Sequence, residues 1–140
     1  MKRKLFLAAI LCLGCAAQLQ GAQSEKQQVA RDNYVRALNS EHDGVRNSAI
    51  FRVLQFKAAY SQDACADFIK RLQEMSLRDV SVRNRMYAFL ACALLQDENL
   101  FAAAMPPRSE DEKEAYFANL HRVLQQGHDV ARNEQREAHE

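Results

Sequence analysis

The chain contains no tryptophan and has only four glycines and two prolines among its 140 residues. So few glycines and prolines exclude a collagen-like or linker protein, and an apolar content of 48% excludes a disordered one. The length fits one compact domain and does not fit a large enzyme. We therefore expect a folded, mostly helical domain.

Motifs of common enzymes and metal sites are also missing from the sequence. It contains no Gly-x-Ser-x-Gly, no glycine-rich phosphate loop with a lysine, no Cys-x-x-Cys and no His-Glu-x-x-His. The histidines, His42, His121, His128 and His139, do not have the spacing of metal ligands. We expect a protein without catalytic activity, cofactor or metal.

The first 22 residues have the three parts of a secretory signal peptide: basic Lys2-Arg3-Lys4, an apolar run from Leu5 to Ala17, and a small and polar end. As a helix the apolar run rises about 20 Å, which is short of the roughly 30 Å core of a bilayer, so a signal is favoured over a membrane span. Signal removal leaves 16 of the 19 basic residues against 18 acidic ones, a balance that argues against general nucleic-acid binding. We expect a periplasmic or secreted protein.

Two cleavage sites would give different products. Leu13-Gly14-Cys15 resembles the bacterial lipoprotein signal, in which the cysteine is lipidated, although Cys12 stands where that family has leucine. The small residues at Ala17, Gly21 and Ala22 suit an ordinary signal peptidase, which releases a soluble product. We expect the soluble product, and membrane attachment only if Cys15 is lipidated.

Apolar residues from Ser24 to Gly127 recur at spacings of three and four, which predicts an all-α domain over residues 23–127. The predicted helices begin at Ser24, Asp43, Ser61, Asp79 or Ser81, Asp97 and Ser109, and the last one ends at Gly127. Residues 128–140 are polar and are predicted to form a flexible tail. The fourth helix contains seven consecutive apolar residues, Phe89 to Leu95, so we expect other helices to cover it on several sides.

An internal repeat is visible in the second and fourth predicted helices. Val45-Arg46-Asn47 recurs 37 residues later as Val82-Arg83-Asn84, at the start of a helix in both copies. With Asp43 and Asp79 upstream, these segments resemble HEAT-type helical repeats, whose second helix opens with Asp-x-x-Val-Arg. The resemblance implies a short right-handed superhelix of stacked antiparallel helical hairpins that binds another protein. It also implies that Arg46 and Arg83 tie adjacent units together through Asp43 and Asp79.

In HEAT-like arrays the second helices line the concave surface, and here that surface would be mildly basic. Arg52, Lys57 and Arg85 are its candidate partner-binding residues, and Ser109 to Glu114 form an acidic end. One interpretation is an acidic protein partner attracted by complementary charge. The alternative is an ordinary solvated helix face. A scaffold, adaptor or immunity-type inhibitor fits the first interpretation. The second hypothesis for function is a cell-envelope carrier of a small ligand, either a lipid or a metal.

Two cysteines, Cys65 and Cys92, remain after removal of the signal. If the third and fourth helices form an antiparallel hairpin that turns between Arg78 and Asp79, these two cysteines face one another. In an oxidising compartment a disulfide between them would add roughly 3 to 4 kcal/mol to the stability. Two buried thiols are the alternative.

Overall fold

The structure is a computed structural model that describes residues 25–60 and 65–137 of the chain. The predicted signal peptide, the lipidation site at Cys15 and the helix starts at Ser24 and Ser61 lie outside these residues. Every regular element in the described ranges is helical, which confirms the all-α class. The helices are α1 (25–38), α2 (Asp43–Ala59), α3 (Ala66–Arg78), α4 (Val82–Gln96), α5 (Glu98–Ala103) and α6 (Lys113–Glu137), with a 3-10 turn at Glu110–Glu112.

The chain divides into two units, residues 1–33 and residues 34–140. The described part of the first unit is the helical stretch 25–33, in which Gln28 Nε2 donates to Asp32 Oδ1 at 2.9 Å. The second unit contains the end of α1 and all later helices. The core and the candidate site belong to this second unit.

Short polar side chains fix where several helices begin. Ser81 caps α4 by accepting from the backbone N–H of Asn84, and Asp97 caps α5 by accepting from that of Leu100. The predicted starts of these two helices, Ser81 and Asp97, are therefore confirmed. Ser109, the predicted start of the last helix, accepts from the N–H of Asp111 and opens the 3-10 turn Glu110–Glu112, and α6 follows from Lys113.

Two predicted boundaries differ from the structure. Helix α3 begins at Ala66, because Cys65 has φ of 53° in the left-handed region and so stands outside the helix. Helix α6 does not end at Gly127 but continues to Glu137. A glycine inside a helix costs only about 1 kcal/mol, and the helix-forming residues after Gly127, such as Ala131, Arg132 and Glu134, offset that cost.

The core forms where α4 meets the other helices of the second unit. Helix α4 packs against α2, α3, α5 and α6. Helical spacing predicts that Ile50, Val53, Leu54, Phe56 and Tyr60 face inward; the first four are buried, and Tyr60 is half-buried. Phe68 and Leu72 of α3 and Phe117 of α6 complete the apolar interior.

The seven-residue apolar run of α4 is buried with one clear exception. Leu90, Ala91, Cys92, Leu94 and Leu95 are buried, whereas Phe89 is 60% exposed. Because successive residues turn by about 100° around a helix, seven of them point in every direction, and one side of α4 has no neighbouring helix among residues 25–60 and 65–137. The prediction that the whole run is covered is therefore wrong at Phe89.

Residues aligned by the repeat contact one another in the structure. Asn47 Nδ2 donates to Asn84 Oδ1 at 2.9 Å, and these residues lie 37 positions apart. The rings of Tyr87 and Phe117, 30 positions apart, stack at 4.0 Å. However, Phe117 also contacts Phe51 of α2 at 6.3 Å, so α6 packs on both α2 and α4. In a strictly linear repeat array each unit would contact only its neighbours.

Candidate protein-binding surface

A buried ion pair joins the two turns that precede α2 and α4. Arg46 donates from Nε and Nη2 to the carboxylate of Asp79 at 2.7 and 3.0 Å, and the side chains are only 11% and 2% exposed. The Nη1 of Arg46 donates to the carbonyls of Ser40 and Glu41. The hydrogen bonds from Arg46 hold the pKa of Asp79 below its usual value, against the opposing effect of burial. The predicted structural residues Arg46 and Asp79 are thus brought together.

A second buried polar contact lies beside this pair. Asn84 receives the hydrogen bond from Asn47 and donates its own Nδ2 to the backbone carbonyl of Asp43 at 3.1 Å. The side chain of Asp43 is exposed and accepts from the N–H of Gly44, and its charge adds to the hydrogen bond and the charge of Asp79 in raising the pKa of Arg46. Among the described residues no buried side-chain nitrogen or oxygen lacks a hydrogen-bond partner.

The two roles of Arg46 in α2 are divided between two arginines of α4. Arg85 donates from Nη1 to the carbonyls of Asp79 and Val80, six and five residues before it, as Arg46 does to Ser40 and Glu41. Arg83, which the repeat aligns with Arg46, is 60% exposed and lies 3.7 Å from Glu114 of α6. Glu114 also accepts a hydrogen bond from the Tyr87 hydroxyl. Arg85, predicted to bind a partner, therefore holds the α3–α4 turn.

The predicted basic and acidic surfaces meet inside the same molecule. Arg52 Nη2 lies 2.8 Å from Glu110 Oε2, and Gln55 Nε2 donates to the carbonyls of Pro107 and Arg108. Hydrogen bonding to Ser48 and the charges of Arg52 and Lys113 lower the pKa of Glu110, against the opposing effect of burial. Lys57 is half-buried in the last turn of α2. The basic face of α2 is thus occupied by the chain's own acidic segment, Ser109 to Glu114.

An exposed apolar face on α4 is the feature that sequence reasoning missed. Val82, Met86 and Phe89 are 69%, 39% and 60% exposed, and the half-buried Ala93 continues their line. At about 100° per residue these four positions fall within roughly 60° of the helix circumference. Arg83 and Arg85, the two charged residues of α4, flank this outer face. The run from Phe89 to Leu95 without a polar residue was the signal that could have indicated it.

The two cysteines of the described region are both buried, and the structure contains no bond between them. Burial raises the pKa of the Cys92 thiol, which keeps it protonated and unreactive near neutral pH. Cys65 occupies the strained left-handed position immediately before α3. The disulfide stays a prediction.

Other kinds of site were searched within the described ranges. Residues 25–60 and 65–137 contain no cluster of three or more histidine, cysteine or acidic side chains suited to a metal ion. Among the same residues, none of the helices combines the length and the apolar character needed to cross a bilayer. The clefts include one of about 500 Å³ along α3 and one of about 370 Å³ beside Pro106-Pro107. Compared with protein-family models, with curated proteins and with solved structures, the chain shows no match.

Proposed function

We propose that the protein is an exported, non-catalytic scaffold or adaptor that binds another protein through the outer face of α4. The observation that carries this proposal is the exposure of Val82, Met86 and Phe89 on a helix whose other sides are buried. Exposed apolar residues that line up along one face are typical of protein interaction sites. Covering these three side chains would contribute about 3 to 5 kcal/mol.

The HEAT-like architecture is part of the same proposal. It is supported by the contact between Asn47 and Asn84, which occupy equivalent positions in the two copies, and by the ion pair of Arg46 and Asp79 between the copies. In arrays of this kind each unit buries its face against the next, and the surfaces left open bind partners. The packing of Phe117 on Phe51 makes this array more closed than a linear one.

The proposed location follows from the leader sequence. A signal peptide over residues 1–22 would place the mature protein in the periplasm or outside the cell, with a lipid anchor at Cys15 as the alternative. An adaptor or an immunity-type inhibitor of the cell envelope would suit the small size and the export. Mass spectrometry of the mature N-terminus separates the soluble from the lipidated product.

Site-specific photo-crosslinking in the producing cells tests the binding proposal. A photo-crosslinking phenylalanine analogue at position 89 should give a stoichiometric crosslink to one other protein. The same analogue at position 119, where the exposed Asn119 lies on α6, is the matched control and should give none. Absence of a crosslink from position 89, or equal crosslinks from both positions, would contradict the proposal.

Carriage of a small ligand is the second proposal for function. The observation that favours it is the cleft of about 500 Å³, whose lining includes Lys70, Arg71 and Arg78. The lining also includes Glu74 and Asp79, which pair with Arg71 and Arg46, so an anionic ligand would rely on the charges of Lys70 and Arg78. Native mass spectrometry of the protein purified from its own producer should then show a bound small molecule, and a mass equal to that of the bare chain would contradict this proposal.

A further inference from the structure

The outer face of α2, which carries Ser48, Arg52 and Gln55, is covered by another segment of the chain. Glu110, in the acidic segment Ser109 to Glu114, bonds to Ser48 and Arg52 of α2. Gln55, one turn further along α2, holds two backbone carbonyls of the loop just before that segment. An acidic turn that opens a helix therefore lies across the outer face of α2.

The predicted repeat indicates that a similar arrangement can form on α4. At the repeat distance of 37 residues Ser48 corresponds to Arg85 and Arg52 corresponds to Phe89, and both of these lie on or beside the outer face of α4. Within the ranges that the structure describes, the face of α4 stays open, with Phe89 60% exposed. A segment placed there as Ser109 to Glu114 is placed on α2 would bring its carboxylate to Arg85. Because Phe89 stands in the place of Arg52, the same segment would need an apolar side chain beside that carboxylate.

The electrostatics of α4 favour an anion at this place. Its charged residues, Arg83 and Arg85, both lie in the first turns of the helix, where the backbone N–H groups already give a partial positive charge. No acidic residue occupies that first turn. The contact of Arg83 with Glu114 joins two side chains that are more than half exposed at 3.7 Å, so another carboxylate can exchange with it.

We propose that the outer face of α4 binds the acidic first turn of an amphipathic helix from another protein, as the outer face of α2 holds Ser109 to Glu114. This inference rests on the proposed function and names the chemistry of the partner. A second copy of the chain fits less well, since its α4 has no carboxylate and Glu110 of its acidic segment is already bound to Arg52 at 2.8 Å. The partner's apolar residues, at spacings of three and four, lie against Val82, Met86 and Phe89.

Two synthetic peptides test the inference with the mature full-length protein. One is an 18-residue amphipathic helix with glutamates in its first turn and leucines along one face, and its twin carries lysines in place of the glutamates. In fluorescence anisotropy the glutamate peptide should bind at least tenfold more tightly than the twin, and its affinity should fall as salt increases. Phe89→Asp should weaken binding at least tenfold. Val123→Asp, at another exposed apolar position, should not change it.

Several results would overturn the inference. Equal affinity for the two peptides would overturn it, and so would no binding of either peptide. Binding of the glutamate peptide that Phe89→Asp leaves unchanged would also overturn it. If Phe89→Asp does not fold, Val82→Asp takes its place. A concentration-dependent dimer that Phe89→Asp dissociates would instead assign the face to a second copy. A crosslink from position 89 to a partner segment without acidic residues overturns this inference but leaves the proposed function intact, whereas the absence of any crosslink overturns both.

Discussion

Replacing Asp79 by alanine removes one partner of the buried ion pair and leaves the charge of Arg46 without its carboxylate. Both side chains are nearly inaccessible, at 11% and 2% exposure, so water screens the pair little. Breaking a buried pair in this way costs about 3 to 5 kcal/mol. Since Arg46 keeps its bonds to the carbonyls of Ser40 and Glu41, we expect the lower end of that range, about 3 kcal/mol.

The chain supplies a matched control for this variant. Arg83 is the repeat equivalent of Arg46, but it is 60% exposed and lies 3.7 Å from its acidic neighbour. Removal of an exposed ion pair changes the stability by about 0 to 1 kcal/mol. Urea unfolding followed by circular dichroism should therefore show a large loss of unfolding free energy for Asp79→Ala and a small one for Arg83→Ala.

A double variant separates the charge from the packing. Arg46→Met combined with Asp79→Leu replaces both charges by apolar groups, and we expect it to be more stable than Asp79→Ala alone, because no buried charge is left unpaired. A loss below about 1 kcal/mol for Asp79→Ala, or a loss equal to that of Arg83→Ala, would refute the conclusion that the buried pair of Arg46 and Asp79 ties α2 to the turn before α4.

Other consequences can be measured on the same protein. Arg46 lowers the pKa of Asp79 in the folded protein, so the ion pair should stabilise the fold fully above the unfolded pKa of about 4. This stabilisation should be lost as the pH falls through the lower folded pKa. In an acid titration, Asp79→Ala should therefore lose less unfolding free energy than the wild type. Asn47→Ala leaves the buried Asn84 oxygen without its donor and should cost about 1 to 3 kcal/mol in urea unfolding, whereas equality with wild type would contradict this. If Cys65 and Cys92 are bonded, thiol titration of the unfolded, unreduced mature protein should find no free thiol, and two free thiols would disprove the bond.

The helices could be predicted because their signals are local. The capping serine at Ser81 and the capping aspartate at Asp97 satisfy backbone N–H groups within their own turn, so the sequence alone indicates where α4 and α5 begin. Gly127 failed as a predicted end because a single glycine does not outweigh the helix-forming residues that follow it. The direction in which Phe89 points could not be predicted, because an apolar run without polar residues does not mark its exposed side.

The candidate site could be predicted only in part, because it is built from contacts between residues that are far apart in the sequence. The predicted repeat aligned Arg46 with Arg83 at 37 residues, but α4 begins 39 residues after α2, so Arg85 has the same position in its helix as Arg46 and holds that turn instead. The opposite charges on α2 and on Ser109 to Glu114 were recognised separately. That Glu110 packs onto Arg52 depends on how α6 returns to α2, which helical periodicity does not encode.

Cysteine labelling at position 89 measures most directly whether a partner covers α4 in the cell. Phe89→Cys and, as a control, Val123→Cys both place a thiol at an exposed position, while Cys65 and Cys92 are buried. We expect a maleimide reagent to label both variants equally in the purified protein, and to label Phe89→Cys far less than Val123→Cys in intact producing cells. Equal labelling of the two positions in the cells would contradict the account.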